Sequence, residues 1–236
     1  MKIDVLTLFP EMYNGVLSSS ILKRAKEKEL AEVNIHNIRD FSKDKHHRVD
    51  DYPIGGGEGM VLMPEPIYDA IEEYRTKDSL VVMMTPQGKV YNQSIAYDLS
   101  KCKHLIILCG HYEGFDERIR NFVDLEVSVG DYILTGGEIP SMILVDSVIR
   151  LIDGVIAKES HEKDSFNNNL LDYPVYTKPN NFKGMKVPDV LLSGHHKNIE
   201  KWRLEQQIKK TKERRPDLLE KSDKCEKNVY GSKTNK

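Results

Sequence analysis

The chain has 236 residues, 39% hydrophobic and 31% charged, which suits one large domain or one domain with a smaller appendage. No apolar run approaches the ~20 residues of a membrane-spanning helix. Cys102, Cys109 and Cys225 are odd in number and lack metal-ligand spacing, which argues against a disulfide framework or a zinc site. Formal net charge is only −2, but residues 1–194 hold 22 Lys+Arg against 30 Asp+Glu, and residues 195–236 hold 13 against 7. An acidic body with a basic end suits a polyanion docking at that end, and equally a solvated, charge-laced helix.

The chain starts on an alternating strand, Lys2 to Leu8, which predicts no signal peptide and, with the unpaired cysteines, a cytoplasmic protein. Ser18 to Ser20 can cap a helix reaching about Leu30, and Val33 to Ile38 reads as a second strand. Arg39 to Met63 is polar and without periodicity: Lys43, Lys45, His46, His47 and Arg48 precede Asp50-Asp51 and the cluster Gly55-Gly56-Gly57-Glu58-Gly59. A loop of that length is functional or mobile, and its glycines lack the Gly-Lys-Ser/Thr ending of a P-loop.

Pro64 starts a helix with Ile67, Ala70, Ile71 and Tyr74 on its buried face, followed by a strand over Leu80 to Met84 and a turn at Thr85-Pro86-Gln87-Gly88. Asn92 caps a short helix through Leu99, and a strand over Leu105 to Leu108 leads into Cys109-Gly110-His111-Tyr112-Glu113-Gly114. A helix over Phe115 to Phe122 and a strand over Asp124 to Val129 precede Gly130-Asp131-Tyr132-Ile133-Leu134-Thr135-Gly136-Gly137, after which Glu138-Ile139-Pro140 opens an apolar helix to Ile152. Alternating strands and helices predict a mainly parallel sheet covered on both faces.

Three strands therefore end in glycine-bearing loops, and ligands of open α/β sheets bind beyond the carboxyl ends of strands. Each loop alone is also an ordinary βα connection, and none has the G-x-G-x-x-G dinucleotide fingerprint, which argues against a nicotinamide dehydrogenase. Asp153 to Leu171 is polar and reads as a linker; Pro174, Pro179 and Pro188 predict irregular backbone. His195 to Arg215 forms one basic helix with Ile199, Trp202 and Ile208 on one side, ended by Pro216, and a polar tail follows from about Lys221.

Taken in order, Y-P-I-G-G-G-E-G-M at Tyr52, T-P-Q-G at Thr85, C-G-H-Y-E-G-F-D-E-R at Cys109, G-D-Y-I-L-T-G-G-E-I-P at Gly130, D-S-F at Asp164 and L-L-S-G-H-H at Leu191 form a specific set. It resembles the TrmD-type tRNA (guanine-37-N1)-methyltransferases of bacteria, within the SPOUT class, from Met1 to about Leu219. The resemblance implies a deep trefoil knot in the C-terminal part of the α/β domain, although knotted connections are otherwise excluded by default. It implies a domain over residues 1–157, a flexible linker over 158–172 and a basic helical tRNA-binding domain over 173–236. It also implies a homodimer with the active site at the subunit interface, tRNA rather than DNA or membrane as partner, and methylation of guanine 37 where guanine stands at position 36.

Carried over by position, S-adenosylmethionine contacts fall on Met84, Thr85, Pro86, Gly110, Tyr112, Glu113, Val129, Gly130, Asp131, Tyr132, Ile133, Leu134, Gly136, Gly137 and Pro140. Asp164 matches the general base for the guanine N1 proton and Arg150 the cation assisting at the guanine. Taken without the family, Asp164 is a solvent-facing loop carboxylate and Arg150 a helix C-terminal cation favoured by the macrodipole. Substrate contacts fall on Ser165, Arg203, Lys209, Arg214, Arg215, Gly55, Gly56 and Gly57. No metal ligand is assigned, and magnesium, which supports the family's reaction, is expected with the RNA or at the site. The chain departs from the family in carrying His111 where some members have arginine, and in an Arg150-to-Asp164 segment one residue shorter at Lys158 to Lys163. The readings kept beside this one are another SPOUT enzyme acting on a ribose 2′-hydroxyl and a non-catalytic RNA-binding protein.

Overall fold

The computed structural model describes residues 1–157 and 164–219. The chain divides into two compact units, Met1–Ala157 and Lys158–Lys236. The first is built on a five-stranded parallel sheet. Its strands are β1 (Lys2–Thr7), β2 (Glu32–Asn37), β3 (Ser79–Val90), β4 (His104–Cys109) and β5 (Leu125–Ser128), in the order β2-β1-β4-β3-β5. Between them run α1 (Ser20–Glu27), α2 (Pro64–Tyr74) and α3 (Gln93–Ser100), and α4 (Glu138–Ile149) follows β5.

The strands read as continuous apolar runs because both faces are covered. Ile3, Val5, Val82, Met84, Leu105 and Ile107 share one core with Leu22 and Ala25 of α1, Leu99 of α3 and Leu144, Val145 and Val148 of α4. Leu6, Val81, Met83, Ile106 and Leu108 alternate to the other face, against Ile67, Ala70 and Ile71 of α2. Burying each of the Val, Leu, Ile and Met side chains among these contributes about 1.5–3 kcal/mol.

Several local expectations change, among them the apolar helix expected to reach Ile152, which ends at Ile149. The helix expected from Ser18–Ser20 to Leu30 ends at Glu27, where Glu29 turns to φ +56° and the Leu30 N–H bonds Ala25 O at 3.0 Å. Phe115 to Phe122 yields only a 3-10 segment, Glu117–Phe122, because the Asp116 carboxylate takes the Arg118 N–H at 3.0 Å. The strand expected to stop at Met84 resumes after Thr85–Gly88: both Met84 and Lys89 align with Val127, so four residues loop out of the ladder. Gly88 makes this possible, since a Cβ there would lie 2.3 Å from Val127 N. The Arg39–Met63 segment also contains a short ribbon, Asp50–Asp51 against Val61–Leu62.

In the second unit, Asn181–Phe182 pairs with Met185–Lys186 through Lys183-Gly184, both at positive φ, the geometry of a tight hairpin turn. A single helical turn, Asp189–Leu192, precedes α5 (His196–Arg214). The expected polar tail from Lys221 lies outside the described residues.

Candidate active site

The Thr85–Gly88 excursion of β3 and the loops that follow β4 and β5 meet at one cavity of about 460 Å³. Every residue expected to contact S-adenosylmethionine lines it except Asp131. Gln87, His111, Phe115, Glu117, Arg120, Ser128 and Thr135 line it too, although none had been expected among the contact residues. Gln87 and Arg120 were hidden because each reads locally as a surface polar residue. Only the fold places them side by side.

Glycine sets how closely the loops approach. Gly137 N–H bonds Gly110 O at 2.8 Å, and a Cβ on Gly137 would stand 2.7 Å from both Cys109 Cα and Gly110 N. Backbone thus lies directly on backbone, which no side chain permits. A Cβ on Gly110 would strike the Phe115 ring at 2.7 Å, and Gly130 holds φ +149°. Tyr112, at φ +58°, turns the middle loop outward with its ring half exposed. Tyr132, Ile133 and Leu134 expose 54%, 80% and 37% of their surface, leaving apolar side chains at the rim.

Beneath the cavity is a polar layer. Glu138, in the first turn of α4, is buried and accepts the Thr7 hydroxyl at 2.7 Å. A carboxylate there also meets the positive end of the helix dipole. The Tyr13 hydroxyl lies 2.6 Å from Ser141 Oγ and 3.3 Å from Cys109 Sγ. Burial pushes the Tyr13 phenol up and the Cys109 thiol up to about 12, so both are neutral, structural groups. His111 Nδ1 is buried without a hydrogen-bond partner. Both it and Glu138 Oε2 lie within 2.6 Å of where a Cβ on Gly136 would stand.

Gly55, Gly56 and Gly57 are exposed at φ +96°, +83° and +139°, so backbone conformation rather than space requires them. Their loop joins the cavity wall through Glu113 N–H to Met60 O at 3.0 Å and Leu62 N–H to Gly114 O at 2.9 Å. Arg150 is half-buried at the C-terminal cap of α4.

In the second unit, Asp164 and Ser165 are half-buried, and Ser165 Oγ accepts the Asp172 N–H at 2.9 Å. Residues 164–172 are tied to α5: Leu171 N–H bonds Thr211 Oγ1 at 2.9 Å and Lys210 Nζ bonds Asp172 O at 3.0 Å. The shortened segment Lys158 to Lys163 lies outside the described residues. Lys209 and Arg214 are exposed. Arg203 stacks 4.7 Å over Tyr173 beside a cavity of about 400 Å³, and Arg215 makes two bonds to Asp217 at 2.8 and 2.7 Å.

The cavity fits an adenosyl group on three counts: walls made of loop backbone at Gly110, Gly130, Gly136 and Gly137, apolar rim side chains, and an unpartnered buried donor or acceptor on His111. For a metal, no three His, Cys, Asp or Glu side chains converge among the described residues. No step is therefore assigned to magnesium. No described helix is long and apolar enough to cross a membrane.

Known proteins match over this same architecture. The family model for tRNA (guanine-1)-methyltransferase TrmD covers residues 1–221. A tRNA (guanine-N(1)-)-methyltransferase of Staphylococcus carnosus is 56% identical over 224 residues, 94% of this chain and 91% of the relative. Proteins of the same name from Halalkalibacterium halodurans and Ruminiclostridium cellulolyticum are each 57% identical, over 93% and 94% of this chain and 92% and 97% of theirs. The chain belongs to the TrmD family of tRNA (guanine-1)-methyltransferases.

Proposed function

We propose that this protein methylates N1 of guanine 37 in tRNA anticodon loops, where guanine occupies position 36, using S-adenosylmethionine. The observation that carries the reading is the joining of family membership over residues 1–221 to one cavity formed by the Thr85–Gly88 excursion of β3 and the loops after β4 and β5. Bound there, S-adenosylmethionine supplies an electrophilic methyl group on its sulfonium.

The chain's own residues do the rest. The loops at Gly110, Gly136 and Gly137 would hold the adenine through backbone N–H and C=O groups, with Ile133 and Leu134 as apolar walls. Asp164 takes the N1 proton as N1 is alkylated, and Arg150 stabilises negative charge developing at O6. The guanine leaves the anticodon stack to reach the methyl donor. Exposed Lys209 and Arg214 on α5, with Arg203 and Arg215, hold tRNA phosphates, which positions the RNA without reading its sequence.

The same reading includes a trefoil knot over the three loops, supported by the backbone contact of Gly137 with Cys109 and Gly110. It includes a homodimer completing the active site, supported by the exposed Tyr132, Ile133, Leu134, Ile139 and Ile143. Ile139 and Ile143 stand four residues apart on one face of α4, as a helix-packing stripe requires. A cytoplasmic location, a 158–172 linker and a tRNA-binding domain over 173–236 belong to the same reading.

The test is methyl transfer from labelled S-adenosylmethionine to anticodon-loop transcripts carrying guanine or adenine at position 37. Label on guanine N1, lost with adenine and with Asp164→Asn while cofactor binding persists, is expected. Label on a ribose would place the enzyme in another SPOUT activity. Binding of tRNA with no transfer would leave a non-catalytic RNA-binding protein.

A further inference from the structure

Arg120 stands at the end of the 3-10 segment after the middle loop and borders the cavity. Each of its three guanidinium nitrogens donates one hydrogen bond. Nε donates to Glu117 Oε2 at 2.8 Å, Nη1 to Glu126 Oε2, and Nη2 to Gln87 Oε1 at 2.6 Å. The three acceptors belong to three segments: its own turn, strand β5 and the Thr85–Gly88 excursion from β3. An exposed surface ion pair contributes little, but this side chain is only 23% exposed and its planar fork is fixed at three points.

The excursion needs such a pin. Met84 and Lys89 both align with Val127, so Thr85 to Gly88 have no partner in the β5 ladder. Gly88 is pressed onto the Glu126–Val127 backbone at one end, and the Gln87 N–H makes only a long 3.4 Å contact with Thr85 Oγ1. The 2.6 Å Gln87 bond to Arg120 is the shortest side-chain hydrogen bond to the excursion among the described residues. Thr85 and Pro86, which the excursion presents, line the cavity.

We propose that Arg120 is a positioning residue that holds the Thr85–Gly88 excursion in the shape that receives the adenosyl group, acting through Gln87. The inference rests on the S-adenosylmethionine reading above. It predicts that Arg120→Ala and Gln87→Ala weaken cofactor binding by a similar factor, roughly 2- to 150-fold, the range of interaction energies between residues of one hydrogen-bond network. The double variant should be no weaker than Arg120→Ala alone, because both changes release the same bond. Arg120→Lys should not restore binding, since one ammonium cannot reach all three acceptors in the guanidinium geometry.

Isothermal titration of full-length protein with S-adenosylmethionine, without tRNA, reads this directly, and thermal melting of the free protein reads folding separately. Gln87 is exposed, so Gln87→Ala tests the pin in an intact fold. With saturating tRNA, the loss should fall on KM for the methyl donor rather than on kcat. Wild-type binding with unchanged affinity in Gln87→Ala overturns the inference and leaves the function standing. Weakening by Arg120→Ala but not Gln87→Ala also overturns it, since Arg120 would then act on the ligand itself. Failure of the wild type to bind S-adenosylmethionine instead overturns the functional reading.

Discussion

The hydroxyl of Thr7, at the end of β1, donates to the buried carboxylate of Glu138 at 2.7 Å across 131 residues of sequence. This bond joins the first strand to the first turn of α4, beneath the candidate cofactor cavity. Thr7→Val keeps the shape and removes the donor, so Glu138 would lose that partner in a buried site. The expected cost is about 1–3 kcal/mol, seen as a melting temperature lower by about 2–4 °C per kcal/mol. A melting temperature equal to wild type would mean that Glu138 is stabilised by other groups.

Acid stability should depend on Asp4, within the first half of β1. Burial pushes its carboxyl up, but bonds from His36, Lys2, His104 and Asn34 outweigh burial and hold it well below the usual carboxylate range. A folded-state value below the unfolded value means that ionised Asp4 stabilises the fold above the unfolded pKa of about 3.9. That contribution is lost as pH falls below it. Asp4→Asn should lower stability at pH 7 by about 3–5 kcal/mol and flatten the acid limb of a urea-midpoint profile between about pH 5 and 2. An acid limb as steep as wild type would assign acid unfolding to other carboxylates.

Two glycines should answer oppositely to alanine. In Gly137→Ala the new Cβ meets backbone atoms of Cys109 and Gly110 that cannot move aside singly. Overpacking of that kind costs about 1–3 kcal/mol, and the cavity floor should shift with it. Gly15, in a helical turn with no atom within 4 Å of its Cβ position, should gain about 0.4–1 kcal/mol on the same change. Equilibrium denaturation of both variants decides the matter; equal effects would refute the backbone-contact reading.

Lys209 and Arg214 expose their charges on α5. Replacing either with alanine should weaken tRNA binding whatever the base at position 37. It should also reduce the slope of log affinity against log salt by about 0.7–0.9 per contact removed. Filter binding across a salt series would show this, and an unchanged slope would take that residue off the RNA path.

Much of the cavity was readable as sequence because its requirements are local. A strand that ends in glycine announces a tight turn, and three such endings in a parallel sheet converge at the carboxyl edge wherever the helices go. Asp131 shows the limit: it sits inside the right motif yet does not line the cavity, while Gly130 and Tyr132 on either side of it do. The roles proposed for Asp164 and Arg150 rest only on likeness to relatives, because one carboxylate and one guanidinium carry no periodic signature.

Strand periods, glycine turns and the basic C-terminal helix were determined by the sequence itself, since each follows from side chains within a few residues of one another. Only the tertiary structure decided that Gln87 meets Arg120, that Thr7 meets Glu138, and that Asp4 gathers His36 and His104. Those bonds join residues 32 to 131 positions apart. Their partners are selected by strand order and register, which the sheet settles as a whole.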